Sequence, residues 1–594
     1  MMSKLMAVGI LASAVMVSCR TKQNAEACAF TACGPGFVCD TATQLCVTAG
    51  ADAAPGGGIF IAAPVGPTVY VNAIVTIQVG LDPGTPAPGT IEILKNGSTL
   101  ASVSSAPYST EWDTTTETEG SYQISARTTV AGRTLTANPV TVVVDRKPPT
   151  IKNQTPLASA TNVLLSDPID VVFSEAVDPK TVTASAISLS TSAGPLPATV
   201  TLSSDGLTAT LVVTDRSSLT FPAVVTETLA PTIADLAGNV IGAIPTWSWT
   251  APRWVTLPSF AGQTPSVAIG ADDHPVVAYV NSSGVSLAKY AAGAVWDVSV
   301  PPPATGAVTA AQLALDSTGA PVVAWSLGHT FVGRWNGTSW DDSYGNVPDT
   351  GIQGAVSGLA LDGMDQPVVA WSAEVSQMGT PSAFVARWEQ GAWLALFSGT
   401  GAVTTWTPLL RLDSTGAPAV ISLGTTSTFG LLRYVGGSWL AVDTSGVQGG
   451  SAAVADTFAF DSQDRPVVVS QMGAGPATFR VQYLSTGTWM NLTTSVMSSP
   501  NVTAINETHV ALDAAGDSVI VWSEVVNNEQ NLRVAKFTLP GWDTGYDPLS
   551  GLFGSNTNAT GASVALDKAG APVVAWYEGN GSGQSSVFMW RANR

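Results

Sequence analysis

The chain has 594 residues, enough for several independently cored domains, and a formal net charge of −19 with only 24 Lys and Arg, which speaks against a phosphate-tracking nucleic-acid surface. Charged residues are 11% of the chain, against about 25% in an ordinary soluble domain, so Gly (57), Pro (38), Ser and Thr supply the polar surface instead. That balance predicts turn-rich β structure in an extracellular setting.

The first residues read as an export signal over 1–18. Lys4 gives the positive start, and the apolar run "LMAVGILASAVMV" (5–17) is too short to span a bilayer as a mature helix. It ends in "MVSC" (16–19), which resembles the lipobox of bacterial lipoproteins. That resemblance implies a lipid on Cys19 and membrane attachment through it. Met16 stands where the family usually carries Leu, which leaves cleavage without lipidation as the alternative. Arg20 follows the Cys where many inner-membrane lipoproteins carry Asp, so the resemblance favours the outer membrane or cell surface of a Gram-negative bacterium. Removing Cys19 leaves Cys28, Cys33, Cys39 and Cys46, an even, dense set in a module over 19–48 with no room for a core. In an oxidising compartment this reads as two disulfides. Three pairings are open, with 28–39 and 33–46 preferred. A flexible linker over 49–58 follows.

From 59 to 146, short alternating runs are broken by turn signals, and "IEILKNGSTLASV" (91–103) places two strands around Asn96-Gly97. This segment resembles the bacterial immunoglobulin-like (Ig-like) domains found in tandem on surface proteins. Over 147–252, "DPIDVVFSEAVDP" (167–179), "SSDGLTATLVV" (203–213), "DLAGNVIG" (235–242) and "WSWT" (247–250) closely resemble the Ig-like domain named after bacterial S-layer proteins. Asp235 and Asn239 invite a metal loop. Turn formation explains them more simply, because Asx side chains cap local backbone and Gly238 accepts positive φ.

The remainder, 253–594, repeats one phrase. "LALDSTGAPVVAW" (313–325) returns as "LALDGMDQPVVAW" (359–371) and "VALDKAGAPVVAW" (564–576), and seven copies begin near 267, 313, 359, 410, 458, 510 and 564. A period of about fifty residues is that of propeller blades. Each copy is an apolar run, a four-residue turn and, in all but one, a Pro opening the next strand, where a missing N–H does least harm. The turn opens with Asp (316, 362, 413, 461, 513, 567; Gly270 is the exception) and closes with Gly or Asp (273, 319, 365, 416, 464, 516, 570), residues that tolerate the left-handed conformation of a bulged hairpin. A third strand ends in an aromatic at 290, 335, 388, 434, 483, 537 and 590, and a Trp follows five or six residues later at 296, 340, 393, 439, 489 and 542. The seventh Trp is missing from the end of the chain. Trp254 stands unused before the first copy, so the segment 253–257 is predicted to become the outer strand of the last blade. The fold class is therefore all-β: two Ig-like β-sandwiches followed by a seven-bladed β-propeller closed by an N-terminal outer strand. The aromatic rows recur once per blade and read as packing between blades, not as sugar-stacking sites.

Chemistry is sparse. The three His (274, 329, 509) fall in different blades without metal-ligand spacing, and there is no phosphate loop or nucleophile elbow. The turn Asp residues supply one carboxylate each, far from the six or more oxygens calcium takes. Lys289, Arg334, Arg387, Arg433 and Lys536 each precede the third-strand aromatic, a repeat feature that predicts stacking on rings or pairing with neighbouring blades. No catalytic residue, metal or cofactor is assigned, and the chain reads as a non-enzyme. The uniform first turns leave variation to the loops on the opposite face, where Trp406, Tyr546 and Phe553 lie outside the repeated rows. That face is the candidate ligand surface, for a glycan or another surface protein. A structural envelope component without a ligand and a glycan-acting propeller enzyme are the alternative functions.

Overall fold

The computed structural model describes a hairpin of Phe37–Asp40 and Leu45–Thr48 and then residues 58–593, with breaks at 243–245, 292–294, 300–307, 342, 349–351, 375–381, 399–407, 424–428, 448–456, 473–476, 494, 539–540, 546–548, 550–557 and 580–583. Every regular element among the described residues is a β-strand. In the hairpin Cys39 lies opposite Cys46. Cys19, Cys28 and Cys33 fall outside the described residues.

The first Ig-like domain packs a three-stranded sheet (Ile59–Ala63, Ile74–Leu81, Ser109–Asp113) on a second sheet led by Thr68–Val71, Val140–Val144, Gly120–Val130, Ile91–Lys95 and Ser98–Val103. Asn96 (φ 49°) and Gly97 (φ 80°) are both left-handed, as the tight hairpin turn requires. Alternate residues of each strand face inward, so Ile77, Ile91, Ile93, Ile124 and Val142 are fully buried around Trp112. The second Ig-like domain pairs Ile151–Thr155, Ile169–Phe173, Thr208–Val213 and Ala198–Leu202 against a sheet of Gly194–Leu196, Ile187–Thr191, Ala223–Leu229 and Trp247–Ala251. Its core closes over Leu165, Phe173, Leu211, Val225 and Trp249. In "DLAGN" Asp235 accepts the backbone N–H of Ala237 and Asn239, and Gly238 has φ 89°. Asn239 reaches across to the Asp145 carbonyl and accepts from Asn72, so the same turn fastens the two Ig-like domains together.

Among the described residues the repeats form seven antiparallel four-stranded units. Unit 1 is Gln263–Ile269, Pro275–Asn281, Gly284–Ala291 and Val295–Ser299, and the first strands of units 2 to 7 are Ala310–Leu315, Ile352–Leu361, Leu409–Leu412, Phe458–Phe460, Val502–Leu512 and Asn558–Leu566. Unit 7 takes its fourth strand from the front of the region. Trp254–Ala261 pairs with Ser585–Ala592, placing Trp254 opposite Ala592 and Thr256 opposite Trp590. Each first strand lies against the first strand of the next unit, and that of unit 7 lies against that of unit 1. Second strands are buried on both faces, as in Pro321–Ser326 and Pro466–Met472. Their near-continuous Val and Ala content follows from that position.

The turn chemistry holds in all seven units. The fourth turn residue is left-handed throughout: Asp273, Asp365 and Asp464 at φ 65°, 59° and 57°, and Gly319, Gly416, Gly516 and Gly570 between 73° and 84°. Its N–H returns to the carbonyl of the first turn residue, as from Gly319 to Asp316 at 2.8 Å. The Asp316 carboxylate caps the N–H groups of Thr318 and Ala320.

The third-strand aromatic row needs two corrections. Position for position the cross-strand partner of the outer Trp is Tyr290, Trp335, Trp388, Tyr434 and Phe537, but Leu484 in unit 5 and Ala592 in unit 7. Tyr483 and Trp590 sit one and two residues earlier. The register is set by the hairpins, and it puts Arg591 opposite Val573, the position that Arg334 holds opposite Val322. In unit 5 Tyr483 takes that position opposite Val467, and Arg465 from the turn lies 4.1 Å above its ring.

The second Ig-like domain is fastened to the repeats. Asn593, fully buried, accepts from the Leu165 N–H (2.6 Å) and donates to the Val163 and Pro252 carbonyls (3.0 and 2.7 Å). The Asn162 side chain pairs with both the N–H and the carbonyl of Thr256, capping the outer edge of the Trp254 strand. A cleft of about 460 Å³ lies along this joint between Thr155–Pro156, Leu257 and Tyr290.

Candidate functional site

In each unit the strands run up and down, so the first and third turns open on one rim, and the second turns and the links between units open on the other. The first rim is an electrostatic band. The turn Asp of a unit meets a cation of the same unit: Arg433 reaches Asp413 at 2.9 Å, Arg465 reaches Asp461 at 2.6 Å, Arg591 reaches Asp567 at 3.1 Å, and Arg334 pairs with Asp316. In unit 1, where Gly270 opens the turn, Lys289 pairs with Asp272 at 2.8 Å. Neighbouring units are reached as well. Arg387 donates to the Gly416 carbonyl, Lys536 to that of Gly570, and Arg433 lies 5.0 Å over the Phe460 ring. Burial alone raises Asp316 and Asp413, but the Thr hydroxyls, backbone N–H groups and Arg partners outweigh it and hold both below the ordinary Asp value. These cations are absorbed by structure and do not converge on a ligand.

The aromatic rows also serve packing. The indole N–H groups of Trp393, Trp439 and Trp489 donate to the backbone carbonyls of Tyr344, Leu396 and Asp443, each in the preceding unit.

The candidate residues Trp406, Tyr546 and Phe553 lie outside the described residues, and the opposite rim is seen through residues around the second turns. What is described there is a polar cluster in units 5 to 7 that the sequence reading missed. Glu524, fully buried two residues after Trp522, accepts from the Trp522 indole (3.1 Å), the Ser499 N–H (3.1 Å), the Ser499 hydroxyl and Arg533 (2.7 Å). Burial pushes Glu524 up, and the Ser499 and Arg533 bonds more than reverse it, so it is held ionised below the usual Glu range. Glu578 repeats the indole bond in unit 7, accepting from Trp576 at 3.0 Å. The signal in the sequence is the pair "WSE" (522–524) and "WYE" (576–578), a carboxylate two residues beyond the repeated Trp. Ionised and satisfied, Glu524 ties Ser499 and Arg533 together and is not poised to donate a proton. The three His remain apart: His274 lies 5.5 Å from the Tyr290 ring, His509 is 3.5 Å from Glu507, and His329 is in unit 2.

Among the described residues one group of carboxylates could hold a cation. Asp145, Glu175 and Asp235, at the junction of the Ig-like domains, bring oxygens within 4.8 Å of one another. Burial first, then repulsion from Asp145, raises Glu175 to about 7. Asp235 already spends its oxygens on Ala237 and Asn239.

Two segments match known domain families: residues 59–126 match a bacterial Ig domain and residues 145–251 a bacterial Ig-like domain. A search of curated proteins found no match. Solved structures similar to the chain include the BP39L lectin from Burkholderia pseudomallei (17% identity, 53% of this chain and 96% of the other, TM-score 0.37). Others are AofleA from Arthrobotrys oligospora (10%, 50% and 89%, TM-score 0.34) and a PL25 ulvan lyase (9%, 57% and 96%, TM-score 0.40). The chain is thus β-rich and carries two bacterial Ig-like domains, a domain type typical of extracellular or surface proteins.

Proposed function

We propose that this is an exported, lipid-anchored surface protein that presents a seven-bladed β-propeller on two Ig-like spacers and binds a glycan or a surface protein through the variable-loop rim. The observation that carries the reading is the pairing of Trp254–Ala261 with Ser585–Ala592, which completes the seventh unit with strands from opposite ends of the region. Seven first strands in unbroken succession, the last against the first, support a closed toroid. Cys19 as the lipidated residue and the paired cysteines of 28–46 belong to the same reading of an exported chain.

The first rim is saturated with internal ion pairs and turn bonds, which leaves the other rim for recognition. Its links between units differ in length and carry Trp406, Tyr546 and Phe553, none of which the repeat needs. A glycan array and a pull-down from envelope extracts test this, with wild type against the Trp406→Ala/Tyr546→Ala double variant. Captured ligand that the double variant loses is the expected result. Equal signals from both proteins would remove these aromatics from the function. Labelling with a radioactive fatty acid, in wild type and Cys19→Ala, tests the anchor.

A further inference from the structure

We infer that the inner wall of the propeller carries an oxyanion-binding site at Arg411. This rests on the propeller reading above. One position on each first strand has the same register: Ala268 opposite Val276, Ala314 opposite Val322, Ala360 opposite Val368, Ala459 opposite Val467, Ala511 opposite Val519 and Ala565 opposite Val573. In unit 4 that position is Arg411, opposite Ala419.

The six alanines follow from place. First strands crowd against each other, so side chains there must be small. At Gly358, two residues before Ala360 on the same strand, an added Cβ would sit 2.6 Å from the Leu410 Cβ. An arginine at such a position has no packing reason. Five other arginines of the repeats, Arg334, Arg433, Arg465, Arg533 and Arg591, each meet a carboxylate, and Arg387 is spent on the Gly416 carbonyl of the next unit. Arg411 meets none among the described residues, and its guanidinium donates to the Leu410 carbonyl at 2.8 Å.

A guanidinium does not shed its proton to escape burial. Burial pushes Arg411 below the ordinary Arg value, and no described charge opposes it. The side chain nonetheless keeps partial exposure, which leaves it reachable. Its planar fork matches the two oxygens of a carboxylate or a sulfate, and an anion seated on it supplies the missing charge. The ligand class is therefore an oxyanion, either inorganic or the uronate of an acidic glycan.

The test is thermal unfolding of the full exported chain in low-salt buffer. Sodium sulfate or sodium glucuronate is titrated at ionic strength held constant with sodium chloride. Wild type is expected to show a saturating rise in Tm. Arg411→Lys should half-saturate at about tenfold higher concentration, because an ammonium lacks the fork. Arg411→Ala restores the residue used by the other six units, so it should fold, melt above wild type in low salt and show no saturable rise. A response to both salts assigns a general oxyanion site, and a response to glucuronate alone assigns an acidic glycan. The same curve in wild type and Arg411→Ala is a bulk salt effect and overturns the site. So does a lower melting point for Arg411→Ala in low salt. Hydrogen exchange on the same samples separates the two readings. Protected amides in Trp254–Ala261 with a flat titration sink the anion site and leave the propeller standing. Unprotected amides there remove both.

Discussion

Glu227 lies on the inward-facing row of Ala223–Leu229, fully buried in the core of the second Ig-like domain beside Trp247, its cross-strand neighbour. Neither carboxylate oxygen has a hydrogen-bond partner of good geometry, and burial raises the group to about 8, with the nearby Trp247 indole opposing only weakly. In the unfolded chain it titrates near 4.5. Between those values the unfolded state releases a proton that the folded state keeps, so stability falls as pH rises from about 4.5 to about 8 and is flat above. At pH 7 the loss is about 3–4 kcal/mol, from roughly 2.5 pH units at about 1.4 kcal/mol each. Glu227→Gln keeps the shape and removes the titration. Hydrogen exchange with mass spectrometry, corrected for intrinsic rate, reads the local opening free energy of 223–229 and 247–251 in the full chain. Wild type should lose protection from pH 5 to 8 while Glu227→Gln stays level and is more protected at pH 7. Wild-type protection that is flat or rises over that range would refute the buried, neutral carboxyl.

Trp254→Ala removes a buried ring whose centroid lies 6.2 Å from that of Trp590, tilted at 53°, and should cost about 3–5 kcal/mol, read as urea unfolding of the repeat region with early exchange at Ser585–Ala592. Asn593→Ala strands the Leu165 N–H and two carbonyls. It should loosen the joint by about 1–3 kcal/mol, seen as faster exchange at 163–165 and a broader distance distribution in small-angle scattering. Asp316 and Asp413 contribute stability that is complete above about pH 4 and lost as pH falls through their depressed folded values, so Asp413→Asn should flatten the acid limb of a pH melt. Asp365→Gly keeps the left-handed turn residue but loses the carboxylate that receives the Ser317 N–H at 2.8 Å and its hydroxyl. It should cost about 1 kcal/mol, whereas Asp365→Asn should cost less.

Local chemistry made the repeat legible. A positive φ demands Gly or Asp, a strand opening tolerates Pro, and a Trp with no place in its own copy had to belong to another. Those constraints act within a few residues or within one hairpin, so they survive in the one-dimensional pattern. The choice between Gly and Asp at the fourth turn position did not. It reads as two residues tolerating one conformation, yet Asp273, Asp365 and Asp464 each take the second turn residue of the preceding unit: Lys568, Ser317 and Ser414. Register was the second gap. Counting residues to the nearest aromatic chose Tyr483 and Trp590, whereas hairpin geometry selects Leu484 and Ala592, and only the pairing shows that Arg465 and Arg591 fill the cation position by different routes.

The candidate site was legible in the inverse sense. Residues that the repeat explains turned out to hold the repeat together: most of the Arg and Lys row on turn carboxylates, and Trp393, Trp439 and Trp489 of the outer row on backbone carbonyls of the preceding unit. Function is then to be sought in residues that break the pattern, and two kinds exist. Trp406, Tyr546 and Phe553 break it by insertion, which sequence alone reveals. Arg411 and Glu227 break it by charge at a position whose burial is set by neighbouring strands far away in the chain, and no local pattern announces that. A charge among alanines becomes conspicuous only once seven strands are superimposed in register, and a Glu in an alternating strand only once its parity places it indoors.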